Sequence, residues 1–241
     1  MGDSLDHPNF SVFDDFLAED EWTKLWTAFQ FMTLRPVTRT TGAWKLDDGA
    51  PLAGAEEIQP RHGATAAFPN APAPPNTPAS PNAPAPSNHE DAPTPVLAHL
   101  LKSILSLQDA QRRLLEGPWD KLVARPYVYP RGTGLSWHVD DHELYAGAFV
   151  YYAHPHWDAH FGGELLVAET DGAQLPVMGY RFETQPYSDQ LLDVGCGNFV
   201  APKPNRLVVL GAAPHMVCPV RDAAGQSVRA SVAGFFLKPQ A

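Results

Sequence analysis

Four residues in the C-terminal half of this 241-residue sequence could serve one piece of chemistry: His138, Asp140, His215 and Arg229. His138-Val139-Asp140 sets an imidazole and a carboxylate two positions apart, and in extended chain that spacing turns both to one face. They could be two ligands of one metal ion. His215, in Ala213-Pro214-His215-Met216-Val217, supplies a second imidazole at the start of an apolar run. Two imidazoles and one monodentate carboxylate on one face of a non-haem Fe(II) leave open positions for substrate and oxygen. A closed zinc site needs a fourth protein ligand. His142, His154, His156 and His160 stand nearby in sequence, so counting alone leaves zinc open. Taken alone, His138 reads equally as a hydrogen-bonded strand histidine.

Arg229 follows His215 by fourteen positions, in Val228-Arg229-Ala230-Ser231-Val232-Ala233. In a strand, Arg229, Ser231 and Ala233 share one face. An arginine turned into an apolar barrel is costly unless it meets an anion. A ligand carboxylate suits its planar fork, and Ser231 can add a hydrogen bond. The alternative is a solvent-facing arginine paired with an acidic side chain.

These residues need strands to hold them. Beyond Trp119 the pattern predicts strands at Ala124–Tyr129, Leu135–Val139, Ala146–Ala153, Glu164–Glu169, Asn198–Ala201, Arg206–Leu210, Met216–Val220 and Ser227–Leu237. They are short, punctuated by Gly, Pro, Asn and Asp, with no helix-length segment between them. That predicts an antiparallel sandwich or barrel. Thr170–Gly197 reads as a long irregular loop, a place for substrate contacts.

The N-terminal part reads as support. Phe10–Phe16 is expected as a strand, and Glu19-Asp20-Glu21 suits the positive end of a helix. Trp22, Leu25, Trp26 and Phe29 then follow the spacing of one buried helix face, both tryptophans being read as core. Thr94-Pro95 is expected to start a second helix, with Leu97, Leu100, Leu101, Ile104 and Leu107 as its stripe and Gly117-Pro118 as its stop. Between them, residues 60–95 are interleaved with Pro, Ala, Asn, Ser and Thr and read as an extended, mobile insert. One domain over 1–241 is therefore expected: an N-terminal strand and helix within 8–59, the insert 60–95, a supporting helix over 96–118, and a barrel core over 119–241.

Composition narrows the class. A formal charge of −10 argues against a broad nucleic-acid surface. Two cysteines, Cys196 and Cys218, provide neither a disulfide framework nor a Cys-rich zinc site. Met1–Asp6 lacks a signal-peptide pattern, and no apolar run spans a bilayer, so a soluble cytoplasmic protein is expected.

The stretch Tyr127–Lys238 resembles the prolyl 4-hydroxylase-like branch of the Fe(II)/2-oxoglutarate-dependent dioxygenases. The matching pieces are Tyr129-Pro130, Gly132-Thr133-Gly134, His138-Val139-Asp140, Tyr151-Tyr152, Trp157-Asp158, Gly162-Gly163-Glu164-Leu165, Pro202, Asn205-Arg206-Leu207-Val208, Pro214-His215-Met216-Val217 and Arg229-Ala230-Ser231-Val232. Their order and approximate spacing together carry the likeness. The resemblance implies a mainly β fold with flanking helices, a double-stranded β-helix (a jelly-roll, cupin-like barrel). It implies His138, Asp140 and His215 as Fe(II) ligands. Arg229 and Tyr152 would hold the distal carboxylate of 2-oxoglutarate, with Ser231 and Tyr129 beside them. Trp157 and Gly162-Gly163 are read as packing and turn residues, and Tyr151 as core.

The cofactors implied are Fe(II), 2-oxoglutarate as cosubstrate and O2, with ascorbate as a support. The activity implied is hydroxylation of an unactivated C–H bond, with release of succinate and CO2. A carboxylate at Asp140, where related halogenases have a small residue, favours hydroxylation over halogenation. Proline or another amino-acid residue in a peptide or protein leads as substrate. The alternatives are hydroxylation, desaturation or cyclisation of a free amino acid or small molecule, and a non-catalytic cupin-like binding module. A nucleic-acid demethylase is disfavoured by the acidic balance and by Phe235-Phe236, which stand where a second arginine would follow Arg229.

Overall fold

The computed structural model describes residues 4–37, 51–61, 95–107, 113–140, 143–169 and 185–239. Two antiparallel sheets share its strands. The large sheet runs in the order β1 (Ser4–His7), β2 (Phe10–Phe13), β11 (Leu207–Leu210), β8 (Tyr145–Tyr152), β13 (Arg229–Leu237), β6 (Lys121–Tyr129), β4 (Leu52–Ala53), β3 (Arg35–Pro36). Strand β5 (Glu57–Pro60) also pairs with β6. The small sheet runs β10 (Gly197–Val200), β9 (Leu165–Ala168), β12 (His215–Val217), β7 (Leu135–His138).

Alternation along the long strands explains the layers. On β6, Leu122, Ala124 and Val128 face one side, with Val232 and Phe236 of β13 and the helices α1 (Glu19–Phe29) and α2 (Pro95–Leu105). Tyr127 and Tyr129 face the other side, where Leu165, Val167, Val200 and Val217 of the small sheet meet Val150, Tyr152 and Val208 of the large one. That second cluster is the interior of a double-stranded β-helix. Burying one face of each sheet against the other, and the outer face of the large sheet under two helices, satisfies both apolar sides.

The N-terminal segment is clasped to the barrel by polar groups. Asn205, itself in the left-handed region at φ 57°, receives the Leu17 N–H and the Tyr151 hydroxyl and donates to the Leu17 carbonyl. Asp14 takes a forked contact from Arg206, at 2.6 and 3.0 Å. Trp22 donates its indole N–H to the Ala153 carbonyl.

Several boundaries differ from expectation. The strand expected over Phe10–Phe16 is β2 and ends at Phe13, and Trp22 and Trp26 are half-buried at the rim of the core rather than inside it. Helix α2 ends at Leu105, well before Gly117-Pro118, although Leu107 and Leu114 beyond it still join the same core. The loop expected over 170–197 is a helix in its second half, α3 (Gln185–Val194), and then strand β10. Its first half, 170–184, lies outside the described residues, as do 62–94 of the insert and the expected cap Thr94. Pro60, taken as the start of the insert, closes β5. Among the described residues no helix is long and apolar enough to cross a membrane.

Candidate active site

The route from large sheet to small sheet is a tight turn. Tyr129 ends β6; the Thr133 N–H then bonds back to the Pro130 carbonyl, and Gly132 sits at φ 79°, a conformation that favours glycine. The chain leaves this turn as β7 and delivers His138 to the interior. Strand β12 runs antiparallel to β7 with His215 directly opposite His138, so two imidazoles distant in sequence become a cross-strand pair. Their ring centroids are 4.2 Å apart. Asp140, two residues past His138, joins them: its oxygens lie 3.8 Å from His138 Nε2 and 3.3 Å from His215 Nε2.

The three ligand atoms lie within 4.8 Å of one another. Donors roughly 2.1 Å from a common ion stand about 3–4 Å apart, so this set fits a divalent cation. The backbone fixes the tautomers. His138 Nδ1 sits 2.7 Å from the Ser136 carbonyl and His215 Nδ1 sits 2.9 Å from the Ala213 carbonyl, contacts that need an N–H on Nδ1 and turn Nε2 toward the cluster. Burial, aided by the neighbouring His215, pushes His138 down to about 4, so it is neutral and ready to ligate at neutral pH. Burial opposes charge on His215 and Asp140 as well, yet their mutual hydrogen bond wins, raising the imidazole and lowering the carboxyl. Among the described residues this is the one cluster of three such ligands; His154, His156 and His160 are not in it. His142 lies outside the described residues.

Arg229 stands at the first position of β13 and is only 1% exposed. Its Nε donates to the Gly163 carbonyl at 3.0 Å and its Nη1 to the Ser231 hydroxyl at 3.3 Å. The guanidinium lies between two rings, 4.9 Å from the centroid of Tyr129 and 4.8 Å from that of Tyr152. Neither hydrogen-bond partner is an anion, and among the described residues no carboxylate pairs with Arg229. The Tyr152 hydroxyl, also buried, has no hydrogen-bond partner. A buried cation without an anion and a buried hydroxyl donor without an acceptor form a socket for a carboxylate.

The seven residues singled out from sequence thus fall into two groups: His138, Asp140 and His215 in the triad, and Tyr129, Tyr152 and Ser231 around Arg229. Two others, read as turn and packing residues, are that and also abut the arginine's surroundings. Gly163, at φ 71°, carries the carbonyl that receives Arg229, and a Cβ there would lie 2.9 Å from Arg229 Cδ. Trp157 donates to the Gly162 carbonyl and packs over Gly163, holding that turn against the arginine. The Gly-Gly pair was the signal for a close approach; what approached it depended on tertiary structure.

Residues 124–237 match the family model of the 2OG-Fe(II) oxygenase superfamily. No curated protein matches the chain. Among solved structures, a Pseudomonas putida prolyl-4-hydroxylase is similar at TM-score 0.56 and 18% identity, over 95% of this chain and 93% of that one. A Trichoplax adhaerens prolyl hydroxylase, in complex with a hypoxia inducible factor peptide fragment, is similar at TM-score 0.54 and 12% identity, over 96% and 84%. HygX from Streptomyces hygroscopicus, with nickel, 2-oxoglutarate and hygromycin B bound, is similar at TM-score 0.50 and 14% identity, over 94% and 81%. At these identities the likeness is one of fold.

Proposed function

We propose that this chain, whose residues 124–237 match the 2OG-Fe(II) oxygenase superfamily, is an oxygenase that hydroxylates an unactivated C–H bond of a prolyl or other amino-acid residue in a peptide or protein. The observation that carries this reading is the cluster of two imidazoles and a carboxylate, in a molecule that also buries Arg229 with no carboxylate of the described residues to pair it. His138, Asp140 and His215 hold Fe(II), and Arg229 takes the distal carboxylate of 2-oxoglutarate. When bound, the iron and keto acid activate O2 and supply the oxidant for hydroxylation, with succinate and CO2 released.

The chain's own residues do the rest. The Ser136 and Ala213 carbonyls hold Nδ1–H of each histidine, which turns Nε2 toward the cluster to ligate. Tyr152 donates its unpartnered hydroxyl to the same carboxylate as Arg229, while Ser231 fixes the guanidinium and Tyr129 covers its face. Tyr129, Tyr152 and the surrounding Val150 and Val167 keep water away from that chamber. Asp140 fills the position that a halide would need, which favours hydroxylation.

The same chemistry on a free amino acid or a small molecule is the second reading, favoured by the fold likeness to HygX, which binds hygromycin B. Purified protein with Fe(II), 2-oxoglutarate and a panel of peptides and amino acids tests both. Succinate release with a product heavier by one oxygen names the substrate class. No succinate above background from the iron-loaded protein rejects the oxygenase reading and leaves a binding module.

A further inference from the structure

The inner face of the large sheet changes in accessibility from rung to rung. On β6, Tyr129 and Tyr127 are buried while Arg125 and Val123 are half-buried; on β13, Arg229 and Ser231 are buried while Ala233 and Phe235 are half-buried. The register pairs Arg229 with Tyr129, Ser231 with Tyr127, Ala233 with Arg125 and Phe235 with Val123. The chamber is thus closed at its arginine end and opens toward Phe235. Tyr127 lies between: the charges of Arg125, Glu56 and Asp140 all act on its phenol, and burial pushes its pKa up. A molecule entering from the open end passes the Phe235–Val123 rung and then the Ala233–Arg125 rung, the latter about 7 Å along the strand from Tyr127.

That rung has distinct chemistry. Ala233 leaves room. Phe235 stacks on Tyr145 with centroids 4.0 Å apart and planes 6° from parallel, making a flat apolar wall. Arg125 is the cation. Its Nη2 meets Glu56 at 3.2 Å, a single contact between side chains 36% and 48% exposed. Its Nε is shielded and has no hydrogen-bond partner. A guanidinium fork built for two parallel bonds is therefore only half used, in the kind of exposed pair that holds weakly.

We infer that Arg125 is a specificity-determining residue that binds a carbonyl or carboxylate oxygen of an amino-acid unit, exchanging Glu56 for it, while the Phe235–Tyr145 wall receives the apolar part. The inference rests on the oxygenase reading. A free amino acid offers its carboxylate and a peptide its backbone carbonyl; both present the same acceptor to Arg125.

The test measures succinate release by iron-loaded protein with two probe sets. One is free L-proline and other free L-amino acids; the other is the same residues within acetyl- and amide-capped tripeptides. The wild type responds to at least one set, and which set responds tells carboxylate from carbonyl. Arg125→Ala raises KM for the responding probe about tenfold or more, with a much smaller change in kcat; Arg125→Met serves if the alanine variant does not fold. The exchange Glu56→Arg with Arg125→Glu rebuilds the ion pair with the cation displaced, so KM stays high. Recovery of wild-type KM in that double variant shows that Arg125 merely holds Glu56 and overturns the inference, as does unchanged KM in the folded single variant. A wild type that consumes 2-oxoglutarate yet responds to neither set also overturns it. A wild type that consumes none sinks the oxygenase reading itself.

Discussion

The ligand triad sits on the small sheet and the arginine socket on the large one, and each is short of what the other type of group supplies. The triad gathers a carboxylate and two imidazole nitrogens within 4.8 Å of one another, an arrangement that draws a cation. The socket holds a guanidinium and a phenol with no anion to receive them. They also differ in how they are held. The triad is fixed by cross-strand register and backbone carbonyls, whereas the socket is fixed by packing, with two rings and a glycine turn shaped around one side chain. A chelating keto acid whose far end is a carboxylate would answer both deficits at once.

Breaking the small-sheet side should have the largest effect. His138→Ala or His215→Ala is expected to remove both iron retention after desalting and succinate release, each falling to background. Retained iron in either variant would separate that histidine from the ligand set. Breaking the large-sheet side should be milder and different in kind. Arg229→Ala should raise KM for 2-oxoglutarate about a hundredfold while iron is still retained, since truncating one partner of a buried charge pair costs about 2–5 kcal/mol. A normal cosubstrate requirement would refute the anchor role.

The comparison sharpens at Gly163. A Cβ there collides with Arg229 Cδ, and the positive φ strains any other residue. Gly163→Ala should raise KM for 2-oxoglutarate about tenfold without loss of iron, and an equal loss of iron binding would mean that the two sheets are not separable in this way. The smallest effect is on stability. His154 is buried behind the socket, its ring nitrogens 3.1 Å from the Ala230 carbonyl and 2.7 Å from that of Pro202. Burial pushes it down to about 4. The unfolded chain therefore binds a proton that the folded one refuses. Stability is whole above the ordinary histidine range, near 6.5, and is lost as pH falls toward 4. His154→Gln should flatten the fall in Tm across that window; an unchanged pH profile would assign the acid sensitivity elsewhere.

The sequence made the chemistry more legible than the scaffold. His138-x-Asp140, His215 and Arg229 could be read because strand alternation turns spacing into direction, and the eight barrel strands could be placed because turn residues separate them. Helix α3 was missed for a physical reason: Leu192 is 73% exposed, so the helix does not show the one-sided apolar stripe that would announce it. Strands β3 and β4, two residues each, carry no period at all. Gly163 could be read only as a turn residue because its contact with Arg229 spans 66 positions of chain.

The direct opposition of His138 and His215 has a kinetic consequence. Strand β12 is three residues long, and its register with β7 already slips between His215 and Val217. Two of the three ligands thus depend on a ladder short enough to open without the rest of the molecule unfolding. The residence time of a bound metal should then follow the opening of that ladder, so amide exchange at Met216 and Val217 and metal dissociation should quicken together when the small sheet is loosened.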